Sequence, residues 1–351
     1  MHLQSLAMEP GVTDRAAGIA VELIWNKGIA ALCDRRIPDE FPAGRNYSPV
    51  STLAGAMATS KLPDNLISNL QLYANIRDGE LIWVRVSWLR SFIHQILPLI
   101  NARFILVTGD SDSSMPAELG AEAKMLLQSP KIIHWYTQNY DGTLVSEKIS
   151  PVPIGIDYHL LTERPIWGEN ITSPEEQEKT LKSIAARLVP RENRIQQVYV
   201  DFAWQTSFDF RHYRRFHPMV GTKFWETRRA ITRKVRKLPC VFLQNGPLPR
   251  TEVWRQRGQY AFVLSPHGTG LDCHRTWEAL ALGHIVLVPS SSIDPLYAGL
   301  PVVPLRSWDE ITPENLQKWL AQFHGNSGIH EKLKSSYWIS KMRESATDNV
   351  R

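Results

Sequence analysis

The chain has 351 residues, 43% of them apolar, and carries 40 Lys and Arg against 35 Asp and Glu, a formal charge of +5. That is about two domains' worth of chain with enough apolar content for ordinary cores, and the mild basicity suits an anionic substrate or an anionic membrane surface without demanding either. The three cysteines, Cys33, Cys240 and Cys273, lie far apart and show neither metal spacing nor a disulfide framework, which fits a reducing cytoplasm. No apolar run reaches the ~18 residues of a membrane span. The first residues lack a basic flank followed by an apolar core, so no signal peptide is expected. There is no repeat of fixed period and no low-complexity tract.

Residues 1–60 form an N-terminal extension of uncertain role. Ala16 to Leu32 has helical composition, and Pro38, Pro42 and Pro49 break the stretch after it. From Gly79 the pattern sharpens. Leu81 to Val86 (LIWVRV) predicts a buried strand, and Trp88 to Ile100 a helix. Arg103 to Val107 predicts a second strand, ended by Thr108-Gly109-Asp110-Ser111-Asp112. A helix comes next over Pro116 to Leu127, then a strand over Lys131 to Tyr136 ending at Gln138-Asn139, and a short strand over Ser150 to Ile154. Such alternation predicts a parallel, doubly wound sheet over residues 61–165. Ligands of such sheets bind beyond the strand carboxyl ends. That singles out the loop 108–112, Gln138-Asn139 and Gly155-Ile156-Asp157. Asp110 and Asp112 are candidate bases, although Asp-Ser-Asp-Ser-Ser is equally a turn and capping sequence. Gln138, Asn139 and Asp157, with His159, are candidates for acceptor contact.

Residues 166–195 read as a linker with a helix near Glu175 to Leu188. Residues 196–351 read as a second domain, opened by the strand Gln197 to Phe202. Its most basic part, Arg211 to Lys237, predicts a helix over about Lys223 to Arg236. This is either a solvated face or an attraction for diphosphates or an anionic bilayer, and Arg211 or Arg215 could reach a donor phosphate. Basic charge without a recognisable nucleic-acid module argues against nucleic acid. Val241 to Leu243 is a strand and Pro249 to Arg257 a helix.

The densest pattern is Tyr260 to Pro304. The strand Ala261 to Leu264 breaks at Ser265-Pro266. The loop His267-Gly268-Thr269-Gly270 leads to Asp272, a candidate N-cap, and then to a helix ending near Gly283, with the strand Ile285 to Val288 after it. Strand, loop, helix and strand in about 30 residues make a βαβ unit. Glycines before a helix let backbone approach a ligand, and the free N–H groups favour an anion. Arg275 could hold a diphosphate bidentately, and Glu278 could accept two ribose hydroxyls. The alternatives are structural: a plain strand-to-helix turn, an i,i+3 surface pair of Arg275 and Glu278, Trp277 and Cys273 as core residues, and His267 and His274 as cleft or surface polars. Beyond lie a short helix over Asp294 to Tyr297, a strand at Val302-Val303, and helices over Pro313 to Phe323 and His330 to Glu344.

The string SPHGTGLDCHRTWEALALG, with HIVLV and SSIDPLYAGLPVVPLRSWDEI after it, resembles the C-terminal half of exostosin-like glycosyltransferases of the GT-B fold. The match runs through Ser265, Gly268, Gly270, Asp272, His274, Arg275, Trp277 and Glu278. His267 and Thr269 depart from the usual residues. Leu106 to Asp112, Trp135 to Asn139 and Pro153 to Gly155 resemble shorter strings of the same group. The resemblance implies an α/β architecture of two Rossmann-like doubly wound domains facing a central cleft, with the final helix crossing back to the first. It also implies that the loop and helix bind a nucleotide-sugar donor. A glutamate pair eight residues apart, found in many retaining relatives, is incomplete because Val286 stands at the second position, and this leans toward inversion.

The expectation is therefore a cytoplasmic transferase that moves a sugar from a nucleoside-diphosphate sugar to a glycan acceptor in surface polysaccharide synthesis, with no metal and no cofactor. Ser265, His267, Gly268, Thr269, Gly270, Asp272, His274, Arg275, Glu278 and Arg215 would bind the donor. The rivals are a non-catalytic glycan- or membrane-binding scaffold and another nucleotide-dependent Rossmann enzyme. The second would need a Gly-x-Gly-x-x-Gly in register, which is missing.

Overall fold

A computed structural model describes residues 21–37, 76–202, 226–325 and 329–348. Within them lie two five-stranded sheets, and every strand pairing in both is parallel. The first holds β1 (Arg35–Ile37), β2 (Leu81–Arg85), β3 (Phe104–Gly109), β4 (Ile132–Thr137) and β5 (Ile149–Pro151) in the order β1-β2-β3-β4-β5. The second holds β6 (Ile195–Val200), β7 (Val241–Leu243), β8 (Tyr260–Leu264), β9 (Ile285–Pro289) and β10 (Val302–Leu305) in the order β10-β9-β8-β6-β7. The first order never reverses. In the second, β7 and β8 lie on opposite sides of β6, so the crossovers change direction there and leave a crevice beyond the carboxyl ends of β6 and β8.

The principal helices are α1 (Asn26–Leu32), α2 (Ala121–Gln128), α3 (Pro174–Ala185), α4 (Arg228–Val235), α5 (Arg250–Arg257), α6 (His274–Ala281), α7 (Pro313–Gln322) and α8 (Ser335–Asp348). Two expected helices come out differently. Residues 86–99 form a chain of 3-10, α and π turns rather than one helix. Pro98 supplies no N–H there and its ring crowds the preceding turn. The helix expected from Pro116 begins only at Ala121, because Gly120 sits at φ 70, outside the helical region.

Both sheets are buried on two faces, as parallel sheets require. In β3, Phe104 and Leu106 point into a first-lobe core, whereas Ile105 and Val107 join a cluster that also contains Trp277 and Val286 of the second lobe. Ile285 and Leu287 of β9 face the outer core of the second lobe. The lobes thus share one continuous apolar cluster. Two further segments tie them. The stretch before α1 is bracketed by Ile24, whose N–H donates to Leu333 O and whose carbonyl accepts from Ile156 N. Gly155, at φ +71, faces that carbonyl so closely that a Cβ would lie 2.3 Å from it. The helix α8 packs on the first sheet, where Tyr136 Oη and Ser345 Oγ are 2.6 Å apart and Arg343 pairs with Asp34 at 3.0 Å. The strand β1 comes from the segment read as an N-terminal extension. Among the described residues no helix is long and apolar enough to cross a membrane.

Candidate functional site

A cleft of about 1220 Å³ opens between the lobes, lined from the first by Asp112, Ile154 and Asp157 and from the second by the ends of β6 and β7, the loop after β8, α4, α5 and the start of α6. Its floor is the crevice that the strand order creates.

The loop after β8 and the first turn of α6 form one wall. The helix α6 has no side-chain N-cap. Asp272 is therefore not the expected cap. It is buried, and its carboxylate accepts from Ile154 N at 2.8 Å and Trp277 Nε1 at 2.9 Å. Burial raises its carboxyl pKa, and these donors oppose the rise. The amides of Gly268, Asp272 and Cys273 already have acceptors, namely Gly270 O, Asn139 Oδ1 and Asp272 Oδ1. The expected amide-lined mouth is thus partly closed by the protein itself. Ser265 is buried, with Oγ 2.9 Å from Thr276 Oγ1, and does not line the cleft. Gly270 is required by packing, since a Cβ would lie 2.6 Å from Asn139 Nδ2. Thr269 and Gly268 line the cleft. His267 also lines it, with Nδ1 bonded to Leu271 O at 2.8 Å. Burial pulls its pKa down to about 4, so its ring is neutral near pH 7.

Two guanidinium groups face this mouth. Arg275 gives its Nε–H to Asp201 at 2.7 Å, which fixes the plane and directs its terminal nitrogens. Arg228, at the start of α4, gives Nε–H to His267 O at 3.2 Å. Both lie over the ring of Phe202, at 5.7 and 5.9 Å. Burial and the neighbouring Arg275 lower the Arg228 pKa from its usual high value.

Behind them runs a buried chain of alternating charge. Asp201 accepts from Arg275 and from Arg257 Nε at 2.9 Å, Arg257 also faces Glu278 at 3.6 Å, and Glu278 accepts from Arg250 Nη2 at 2.6 Å. Burial alone would raise Asp201 and Glu278, but the arginines hold both below the usual carboxylate range. The other Glu278 oxygen accepts from Trp254 Nε1 at 3.1 Å. This corrects the expected ribose contact: the Glu278 carboxylate borders the cleft with both oxygens bonded to protein. Arg250 lies between two indoles, 4.7 Å from Trp167 and 4.6 Å from Trp254.

The first lobe contributes carboxylates. Asp112 is exposed within the cleft and has no hydrogen bond among the described residues. The low-dielectric protein around it raises its pKa, against the pull of His274 and His159. Asp110 is held instead by Arg85 at 3.0 Å and Asn26 at 3.2 Å and does not line the cleft, which corrects its candidacy as a base. Gln138 and Asn139 are buried and serve the scaffold, Gln138 by accepting from Asp110 N and Asn139 by holding Ser111 O and Asp272 N. Neither lines the cleft. Asp157 does border the cleft, 2.9 Å from His159 Nδ1 and 3.9 Å from His274 Nε2. Burial opposes its ionisation, but these histidines and Arg250 hold its pKa far below normal. One donor atom from each of Asp157, His159 and His274 lies within 4.8 Å of the others, a spacing that could hold a metal ion. His274 Nδ1 is engaged by Gly155 O at 2.7 Å. Arg215 and Arg211 lie outside the described residues.

The site residues missed in the sequence are Asp201, Trp167, Arg250 and Arg257. Only Asp201 carried a signal, as an acid at the end of the strand that opens the second lobe. Arg250 and Arg257 occupy one face of α5 at i and i+7, and charge at that spacing carries no local sign of burial.

No protein-family model and no curated protein matches the chain. Among solved structures, a trehalose-phosphate synthase (UDP-forming) from Burkholderia vietnamiensis overlaps 86% of this chain and 85% of its own, at 13% identity and a TM-score of 0.33. A trehalose-6-phosphate synthase structure with bisubstrate glycomimetics overlaps 81% and 75%, at 12% identity and a TM-score of 0.35. A GtfA/B complex overlaps 82% and 63%, at 11% identity and a TM-score of 0.35.

Proposed function

We propose that the protein is a glycosyltransferase that moves a sugar from a nucleoside-diphosphate donor to a glycan acceptor. The observation that carries this reading is the pairing of the uncapped α6 N-terminus with Arg228 and Arg275 in a cleft between two parallel sheets. An uncapped helix start offers N–H donors and a partial positive charge to an anion. The two guanidinium groups add planar, charged donors of the kind that phosphate oxygens accept. Together they neutralise a departing diphosphate without a metal ion on the phosphates.

On the opposite wall Asp112 takes the proton of the acceptor hydroxyl. Its unbonded carboxylate and raised pKa fit a general base better than the engaged Asp110 does. Attack by that hydroxyl as the diphosphate leaves inverts the anomeric centre. Asp157 and Trp167 border the space left for sugar rings. Surface polysaccharide synthesis at the cytoplasmic side of an anionic membrane is the setting this reading favours, given the net charge of +5.

Calorimetry with ADP, GDP, UDP and their glucose derivatives tests the proposal. One nucleotide should bind, and Arg228→Ala and Arg275→Ala should each weaken it about tenfold or more, the value of a charge-assisted hydrogen bond. If none binds to the folded chain, the transferase reading fails.

A further inference from the structure

The cleft carries more positive charge than a diphosphate needs. The helix α4 places Arg228, Arg229 and Arg233 along the cleft, and Arg236, its helical C-cap residue, continues the row. At about 100° per residue these four fall within an arc of about 140°, and at about 1.5 Å per residue the row extends about 12 Å. Ile231 and Val235, on the adjoining arc, are buried in the second-lobe core, which fixes the helix so that the arginine face stays on the cleft.

Arg229, Arg233 and Arg236 are exposed, and none has an acidic partner among the described residues. The acid nearest in sequence, Glu226, pairs with Lys234 at 2.6 Å. The sequence between Phe202 and Glu226 holds one acid, Asp209, against Arg211, Arg214, Arg215 and Lys223. Like charges three and four residues apart on a helix destabilise it, so the row is a cost that no acid among the described residues offsets. The second-lobe acids that line the cleft are already engaged, Asp201 and Glu278 by buried arginines and Glu226 by Lys234, while Asp112 and Asp157 stand on the opposite wall. An anionic substituent is therefore drawn to the exposed arginines of α4.

We propose that Arg229, Arg233 and Arg236 bind a second anionic group, a carboxylate or phosphate carried by the donor's sugar or by the acceptor. The inference rests on the transferase reading for what that group is attached to. Arg228 and Arg275 serve the diphosphate, and the remaining three select for an anionic sugar.

The test is calorimetry on the full chain. One arm compares UDP-glucose with UDP-glucuronate and places the anion on the donor. The other titrates glucose, glucuronate and glucose 6-phosphate into protein saturated with the tightest-binding nucleotide, or into free protein if no nucleotide binds, and places it on the acceptor. The expected result is a preference of about tenfold or more for the anionic member in at least one arm, weakening with salt. R229Q/R233Q/R236Q should abolish that preference and keep the native melting curve and nucleotide affinity. Lys234→Gln on the same helix should leave it intact. Absence of preference in both arms, or its survival in the triple variant, overturns the inference. Anion preference without nucleotide binding would overturn the transferase reading alone.

Discussion

Asp272 of the second lobe accepts the backbone N–H of Ile154 of the first at 2.8 Å. The same carboxylate accepts from Trp277 Nε1 and Tyr297 Oη, and all four residues are buried. It is a junction on which the sheet of one lobe, the helix α6 and the cleft floor all depend.

Asp272→Ala strands several buried donors at once. Each buried group left unsatisfied costs about 1–3 kcal/mol, so the variant should lose at least ~3 kcal/mol in urea unfolding. Asp272→Asn keeps an acceptor oxygen and should lose less. An alanine variant as stable as the native chain would show that the lobes are not joined here.

Glu278→Ala should act on stability before it acts on binding. It leaves Arg250 and Arg257, both buried, without their shared partner. Removing one member of a buried ion pair costs roughly 3–5 kcal/mol, and thermal melting should reveal it. A variant with native stability but weakened nucleotide affinity would return Glu278 to a direct ligand contact.

The histidines set a pH dependence of stability. Burial lowers His134 and His267 to about 4, and places His284 well below 6.5. In the unfolded chain each takes up a proton near pH 6.5, whereas in the folded chain His134 and His267 resist it until about pH 4 and His284 resists it well below 6.5. The unfolded state therefore binds more protons in that window, and stability falls as pH drops through it, by about 1.4 kcal/mol per pH unit for each histidine. Asp157, Asp201 and Glu278, whose pKa values are depressed, add to the loss at still lower pH. Urea unfolding at pH 7.5, 6 and 5 measures the slope, and His134→Gln should reduce it by one histidine's share. A flat profile contradicts the neutral buried rings.

Catalysis should show the opposite wall. With Asp112 as base, kcat/KM falls as pH drops through a raised carboxyl pKa, because the protonated acid cannot accept a proton. Asp112→Asn should lose that acid limb together with about 100-fold or more of the rate, while nucleotide affinity holds. Asp110→Asn should leave the limb in place. Retention of the limb in Asp112→Asn would remove Asp112 from the mechanism.

Arg275→Lys tests geometry apart from charge. The Nε–H bond to Asp201 orients the guanidinium plane, and an ammonium group has no such fork. The variant should behave like Arg275→Ala in nucleotide calorimetry. Full affinity in the lysine variant would mean that a point charge suffices.

Much of the framework is legible in local pattern. Apolar runs such as Leu81–Arg85, Phe104–Gly109 and Ile285–Pro289, separated by helical periods, determine two parallel α/β layers, because burial on both faces leaves continuous hydrophobic strands. The strand-loop-helix unit around Gly268 and Arg275 is readable for the same reason. Tertiary structure alone decided the strand order that opens a crevice between β6 and β8, and whether each polar side chain faces that crevice or the scaffold. Glu278 finds Arg250, Asp272 finds Ile154 N, and Asn139 finds Asp272 N. Those partners are remote in sequence, and a buried carboxylate or amide is committed by whichever donor folding brings to it, which no local period encodes.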